Sequence, residues 1–559
     1  MLRRHLIVLL TFFLLTVVFT YPLITQFSTN MMGTKLDNYE YAWKLWWVAH
    51  AITTGVNPFF VPNIYYPYGY TLAYGEITPF HTFFMLPLTL VFGEIATYNI
   101  GIFLASILTG WFTYVLARRW FVRLIDKPDL RLLELAAFFS GAAFAFCVYR
   151  QQKMLGHLNL VDTEWIVLAL LALDLWLEHR RRRDAVLIAL GVSLAALSSW
   201  YYGFMLGLLL PIYLLAYGIH WRQTLTDRRT WMSLAVVAVI VGVLCIPFLI
   251  PYLQLNETGA TLVPVSDAGF WAASPTDYIV PNPLSPFWGQ ATQHIIWPFP
   301  TPMLTEFMIS IGWVVLLFGL YGSRLTKGQH WRALKWVMAA AFVLSLGPDL
   351  YLSRLPLNIP LPDLLLRRII PYADSIRSWG RFSLFVMLGF SLTGGAALLI
   401  TLSNVQRTAF RRARYALTGL LIALMLIESW GGIVYTVPIE PRPVDAWLAQ
   451  QPDNAPIMEF PLSAALSGPG MYYTRFHGKP VTFGYGTYLP FIYEQRFPML
   501  KTFPSDAALD QLQAWGVHYI LVTDDTLEFE NFTMADVNQQ PRLQHVITLD
   551  DVAVYRLKS

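Results

Sequence analysis

Two arginines four residues apart, Arg377 and Arg381, stand in the segment Arg377-Ser378-Trp379-Gly380-Arg381-Phe382, immediately before an apolar run. On a helix that spacing puts both side chains on one face. A guanidinium fork matches phosphate oxygens and is weakly hydrated, so the pair suits an anionic group, either a ligand phosphate or a lipid headgroup. A second polar group lies in Tyr149-Arg150-Gln151-Gln152-Lys153-Met154-Leu155-Gly156-His157-Leu158-Asn159, with Asp162 and Glu164 beyond it. Gln151, Gln152 and Lys153 fit an ordinary polar turn. Arg150 and His157 fit it less well, because the following apolar run begins almost at once, and polar groups at membrane depth are functional candidates by default. The third group is Asp37 and Glu40 in Lys35-Leu36-Asp37-Asn38-Tyr39-Glu40-Tyr41, ahead of Trp43, Trp46, Trp47 and His50. On local sequence Asp37 reads as the cap of an aromatic helix, since Asp is a favoured N-cap. Trp and Tyr anchor such helices at headgroup level.

Other chemistries lack their residues. There is no Walker-type phosphate loop, no Gly-x-Ser-x-Gly elbow and no His-Glu-x-x-His pair. His81, His294 and His330 are isolated, and Cys147 and Cys245 both lie inside apolar runs, where a small buried hydrophobe is the expected role. Asp174 and Glu428 fall in or near spans, each alone. A transporter would use them as ion-coupling sites, and either could equally pair with a neighbouring helix.

The elements that must position these residues are membrane helices. The 559 residues are 56% hydrophobic and 13% charged, with a mean hydropathy of +0.48; soluble chains carry about 25% charged residues. The net charge of +4 is small and scattered, and no basic aromatic groove for nucleic acid is present. Apolar runs of spanning length begin with Leu6–Ile24, read as an uncleaved anchor. They recur near 98–117, 134–148, 162–178, 185–201, 203–220, 231–251, 306–321, 333–348, 382–402 and 415–435.

Lys/Arg clusters set the orientation. Arg3 and Arg4, Arg118–Arg131, His179–Arg183, Arg222–Arg229, Arg324–Lys335 and Arg407–Arg414 all fall on one side if about eleven spans alternate, within a range of about ten to thirteen. The N-terminus is then inside, the C-terminus outside, and the location is the cytoplasmic membrane. The stretch Pro79–Phe92 breaks the alternation if it crosses, so it reads as re-entrant or interfacial. Residues 1–436 form the transmembrane domain. Its outer loops run over about 25–78, 149–161, 252–305 and 350–381, and residues 437–559 follow as an extracytoplasmic domain. Alternation over Val517–Val522 and Val552–Leu557 predicts strands, and Ala507–Trp515 a helix. The fold class is therefore mainly α, a polytopic membrane helical bundle with a C-terminal α/β or α+β domain.

An Asp in a long first outer loop, an aromatic interfacial helix, a second outer motif opening with Arg and an outer soluble domain together resemble the GT-C glycosyltransferases. Protein mannosyltransferases, aminoarabinose transferases and bacterial oligosaccharyltransferase belong there. The resemblance is strongest to about residue 220. The chain is also similar to bacterial GT-C-like proteins with the Arg…Gly-His-x-Asn turn and a segment like His477-Gly478-Lys479-Pro480-Val481…Gly484-Tyr485-Gly486. The resemblance implies a cell-envelope transferase using a polyprenyl-phosphate-sugar donor on the outer face, with a protein, lipid or polysaccharide acceptor. It makes Asp37 the general base or acceptor-orienting carboxylate and Arg150, Arg377 and Arg381 the donor-phosphate clamp. Glu40, His157 and Asn159 become second-site polar groups. Where several members carry acidic residues after the Arg, this chain has His157 and Asn159. A divalent-metal mechanism built on clustered carboxylates then requires Glu40, Asp162 or Glu164 to supply the charge. A lipid or amphiphile transporter and a non-catalytic assembly protein on the same scaffold are the competing readings. The first needs more mid-span ionisable residues, and the second tolerates loss of Asp37.

Overall fold

The computed structural model describes residues 2–33, 37–218, 224, 226–257, 261–296, 308–352, 355–404, 413–523 and 531–558. Lys35, Leu36, most of the Arg407–Arg414 cluster and the start of the 306–321 run lie outside them. The chain divides into two compact units. One comprises Met1–Thr25, Ile100–Pro247 and Leu262–Val434; the other comprises Gln26–Asn99, Phe248–Thr261 and Tyr435–Ser559.

The first unit is a helical bundle. Among the described residues of the whole chain, five helices have the length and apolarity to cross a bilayer: Leu2–Phe19, Leu86–Phe121, Trp200–Tyr217, Arg228–Glu257 and Trp379–Ser403. Leu130–Ala145 and Val148–Met154, bent by 46°, form a sixth if taken as one broken span. Other apolar runs fold into shorter helices: Glu164–His179, Arg182–Ser198, Trp313–Leu325, Gln329–Ser345 and Ala413–Ser429. At 1.5 Å per residue these reach about 20–26 Å, less than a ~30 Å hydrocarbon core. Their ends have local causes. Arg180 takes a left-handed cap (φ 52°) after His179, and Gly312 (φ 81°) precedes Trp313.

Helices approach closely where glycine faces backbone, the usual way to pack in lipid. A Cβ on Gly322 would run into the Thr393 carbonyl, and one on Gly141 would lie 2.6 Å from the Gly110 carbonyl. Charges inside the bundle are paired. Asp174, fully buried, meets Arg119, Arg123 at 3.4 Å and His330 at 3.0 Å, and accepts the Trp120 indole N–H at 3.0 Å. Glu428 accepts the Trp313 and Val314 N–H groups, the latter at 3.0 Å, and so caps the Trp313–Leu325 helix. Both acids therefore have structural partners.

The second unit is α+β. Its four-stranded sheet has the order Ile457–Phe460, Tyr519–Thr523, Val552–Leu557, Leu543–Leu549. The first pair is parallel and the others antiparallel. A parallel pair needs a long crossover, supplied by Ala464–His477, Phe491–Leu500 and Asp506–Ala514. The expected C-terminal strands and helix are thus present. Asn30–Met32 pairs antiparallel with Thr436–Pro438, and the Asp37–Thr54 helix packs against Ala464–His477. The stretch expected to be re-entrant is a π-turn over Phe80–Phe84. It runs into the Leu86–Phe121 helix, which breaks at Gly93 (φ 81°, ψ 167°), a conformation glycine adopts without a Cβ penalty.

Overpacking costs about 1–3 kcal/mol, so Gly322→Val should lower thermal stability in detergent by that order. Gly419 lies within a helix with nothing within 4 Å of a built Cβ. Gly419→Ala should leave stability unchanged or raise it by up to about 1 kcal/mol. Thermal unfolding of both variants checks the packing.

Candidate functional site

The first half of the Asp37–Thr54 helix is buried, with Asn38, Glu40 and Lys44 among its aromatic and apolar side chains, so these polar groups need partners inside the protein. Asp37 and Glu40 occupy its first turn, where negative charge complements the helix dipole. Asp37 is the first helical residue; the Tyr485 hydroxyl donates to its Oδ1. The approach depends on the neighbours of Tyr485. A Cβ on Gly484 would lie 2.5 Å from the Tyr65 ring, and one on Gly486 2.6 Å from the Tyr70 hydroxyl. Side chains at either position would push Tyr485 away.

Glu40 is buried with Lys44 one turn on, and Lys44 Nζ lies 2.6 Å from Glu40 Oε1. The same ammonium donates to the Glu76 carbonyl at 2.7 Å. Burial pushes the Glu40 carboxyl above its usual range; Lys44 opposes the shift, and the charges of Asp37 and Glu76 add to it. Gly75 makes room here, since a Cβ would strike the Glu40 carboxylate. The pair thereby ties the helix to the 72–76 turn. Leaving one partner of such a buried pair uncompensated costs about 3–5 kcal/mol.

The C-terminal segment holds the opposite side of this helix. Tyr39 and Tyr473 hydroxyls lie 3.4 Å apart, and the Arg442 guanidinium sits 4.8 Å over the Tyr473 ring while bonding Asp445 and Glu459. His477 and Lys479 are buried and structurally engaged. His477 Nδ1 accepts the Lys479 N–H at 3.0 Å, and Lys479 Nζ donates to the Gln451 carbonyl at 3.2 Å and to the Asp453 carbonyl. Burial brings the His477 pKa down to about 4.

In the bundle unit, the polar segment breaks a helix. Phe146 and Cys147 separate Leu130–Ala145 from Val148–Met154, and a short turn, Leu158–Val161, follows. Such a break frees carbonyls that need donors. Arg150, completely buried, supplies them: Nη1 donates to the Ala145 carbonyl and Nη2 to Val161 O at 2.8 Å. Gln151 does the same for Phe146 and Ser429, both at 2.7 Å, and accepts the Gly431 N–H at 3.1 Å. His157 is half-buried at the start of the turn, and Asn159 is buried within it. Asp162 and Glu164 face the Arg150 charge; Thr109 donates to Glu164 at 3.4 Å and lies 2.9 Å from the Thr163 hydroxyl.

Arg377 and Arg381 depart from the helical-face expectation. The turn is a 3-10 helix covering Trp379–Phe382 with Ser378 as its N-cap, so Arg377 lies outside the helix. Trp379 Nε1 donates to the Ile376 carbonyl at 3.1 Å, and its ring stacks on Phe382; these contacts, not an α-helical spacing, place the arginines. Arg377 stacks 5.2 Å from the Trp271 ring centre, and the buried Arg381 4.2 Å from that of Tyr201. Arg367 braces the preceding segment through the Asp374 and Ile376 carbonyls. Arg150 and Tyr202 donate to adjacent carbonyls of the same turn, Val161 and Leu160, and Arg381 stacks on Tyr201, the residue before Tyr202; Asp162 and Glu164 lie near Arg150. Asp37 and Glu40 are brought together in the other unit.

Among the described residues no group of three or more His, Cys, Asp or Glu side chains is placed to hold a metal ion. Four partners were missed from sequence: Tyr485, Lys44, Tyr201 and Trp271. The Glu40–Lys44 spacing of four was the one readable signal; the others are long-range.

A family described as a domain of unknown function, DUF6311, matches residues 7–427, and the chain belongs to it. Comparison with curated proteins finds no match. Among solved structures the chain is similar to the arabinofuranosyltransferase AftD from Mycobacteria. The TM-score is 0.64 at 17% identity, over 100% of this chain and 40% of that one. It is also similar to the archaeal oligosaccharyltransferase AglB from Archaeoglobus fulgidus, solved with an inhibitory peptide and a dolichol-phosphate. There the TM-score is 0.51 at 13% identity, over 93% of this chain and 69% of that one. The apo form of the A. fulgidus oligosaccharyltransferase gives 0.53 at 14%, over 93% and 70%. The chain spans about two fifths of the length of AftD. These likenesses show the fold, that of the GT-C membrane glycosyltransferases, and with the apolar helices they make this a membrane protein.

The lowered pKa of His477 gives a pH prediction. Between the unfolded value near 6.5 and about 4, the unfolded chain binds more protons. The contribution of His477 is therefore complete above pH 6.5 and is lost as pH falls toward 4, an effect of about 3 kcal/mol. Thermal unfolding in detergent at pH 7, 5.5 and 4 should show His477→Asn, which keeps an acceptor for the Lys479 N–H, with a shallower decline than wild type.

Proposed function

We propose that this protein transfers a sugar from a polyprenyl-phosphate-linked donor to an acceptor on the outer face of the cytoplasmic membrane. The observation that carries the reading is Asp37, a carboxylate at the start of a buried aromatic helix, oriented by the Tyr485 hydroxyl on a GT-C fold. A similar structure that holds a dolichol-phosphate supports a donor of that class. The proposed orientation puts residues 437–559 outside, with the arginine clusters of the connections inside.

In the proposed step, a hydroxyl or amide group of the acceptor attacks the anomeric carbon. The bond from that carbon to the phosphate oxygen breaks, the phosphate leaves with the electron pair, and Asp37 takes the acceptor proton. Tyr485 donates to Oδ1 of Asp37 and so orients the carboxylate for that proton. In the helical unit, Arg377 and Arg381, each stacked on an aromatic ring, are assigned to binding the donor phosphate. Arg150 adds positive charge while its two Nη groups brace the broken helix. Glu40 holds the first turn through Lys44, and His157 and Asn159 offer hydrogen bonds to sugar hydroxyls. The acceptor is a protein, lipid or polysaccharide of the cell envelope.

Transfer of radiolabelled sugar from synthetic polyprenyl-phosphate-sugars, by protein in liposomes with an envelope extract as acceptor, tests the reading. Wild type should transfer label. Asp37→Asn, shown to insert normally, should lose at least about a hundredfold, the size of a general-base contribution. No transfer by wild type across a broad donor panel, or full activity in the variant, contradicts it.

A further inference from the structure

The bundle unit holds a second concentration of cations that the chemistry above does not use. Arg180, Arg181 and Arg182 follow the Glu164–His179 helix, and Arg228 and Arg229 open the Arg228–Glu257 helix. With Asp227 they line one cavity of about 830 Å³. The Glu164 end of the first helix lies beside Arg150. The cavity is at its other end, 16 residues away, or about 24 Å.

Five guanidinium groups face one carboxylate here, and that carboxylate is engaged. Asp227 Oδ1 accepts the Arg229 N–H at 2.9 Å, and the buried Asp184 pairs with Arg183 at 3.6 Å. Among the described residues, Arg181, Arg182, Arg228 and Arg229 pair with no carboxylate. Arg180 is stacked 4.0 Å from the Trp176 ring centre, which orders it before any ligand arrives. Two helices, Arg182–Ser198 and Arg228–Glu257, begin at the cavity, and their N-terminal N–H groups add positive potential.

The surroundings fix the source of the anion. The most apolar 18-residue window of the Arg228–Glu257 helix has a mean hydropathy of 2.9 and is 11% buried by protein. Its flank is therefore open to acyl chains, and Met232 of the same helix lines the cavity. A soluble phosphate would use only the guanidinium groups; a lipid would use the groups and the adjoining apolar flank together. The volume is that of a small-molecule site, larger than a bare phosphate needs. We infer that this cavity binds the phosphate-bearing headgroup of an anionic membrane lipid, with Arg181, Arg182, Arg228 and Arg229 as its ligands.

Native mass spectrometry of the full-length protein, titrated with phosphatidylglycerol, phosphatidylcholine or inorganic phosphate, tests this. Wild type should bind phosphatidylglycerol at least tenfold more tightly than phosphatidylcholine. Arg181→Gln/Arg182→Gln/Arg228→Gln/Arg229→Gln should lose that preference. The corresponding lysine variant, which keeps charge but not the bidentate fork, should keep part of it. Arg556→Gln, on a strand of the C-terminal sheet and not among the cavity-lining residues, should keep all of it. Equal binding of the two lipids by wild type, or an unchanged preference in the glutamine variant, overturns the proposal. So does displacement of the lipid by inorganic phosphate at equal concentration, which would make this a soluble-phosphate site. Should the glutamine variant not fold, the wild-type ratio and the lysine variant decide.

Discussion

The hydroxyl of Tyr485 reaches Asp37 across 448 positions of sequence, and much of the second unit serves to keep it there. The Asp37–Thr54 helix is anchored on one side by Glu40 and Lys44 to the 72–76 turn. On the other side Tyr39 meets Tyr473 of the helix that Arg442 stacks against. The strand pairing of Asn30–Met32 with Thr436–Pro438 ties the start of the loop to the start of the C-terminal segment. Glycines at 484 and 486 then let the chain carrying Tyr485 lie against Tyr65 and Tyr70. A carboxylate in a mobile loop would sample many orientations; this one is held from three directions. Preorganisation of that kind is what a group acting in a transition state requires.

The bundle unit follows a different constraint, the cost of an unpaired polar group away from water. Asp174 sits among two arginines and a histidine, and Glu428 caps a helix. Arg150 repairs the break it sits in. None of these is poised to carry an ion across, which weakens the transporter reading. The break in turn places polar side chains between apolar helices without opening the backbone to hydrocarbon. Arg377 and Arg381 stack on Trp271 and Tyr201, an arrangement that orders a guanidinium through its face.

Composition and apolar runs made the membrane bundle legible, because hydrocarbon imposes length and hydropathy together. The strands at Tyr519–Thr523 and Val552–Leu557 were readable from alternation for a similar local reason. What stayed hidden was long-range or irregular. Nothing near Asp37 announces Tyr485, since their contact depends on how the C-terminal segment returns to the first loop. Helical periodicity misplaced Arg377, because Trp379 bonds back to Ile376 and tightens the turn. The role of Arg150 was obscured because a buried guanidinium satisfying carbonyls and one awaiting a phosphate look alike in sequence.

The most direct test of the account is a double-mutant cycle on transfer rate, combining Asp37→Asn with Tyr485→Phe. If Tyr485 acts by orienting Asp37, its loss matters only while the carboxylate is present. The double variant should then be no slower than Asp37→Asn alone, a strongly non-additive result. Losses that multiply, with Tyr485→Phe slowing the Asp37→Asn enzyme as much as it slows wild type, would contradict the claim that this hydrogen bond sets the reacting carboxylate.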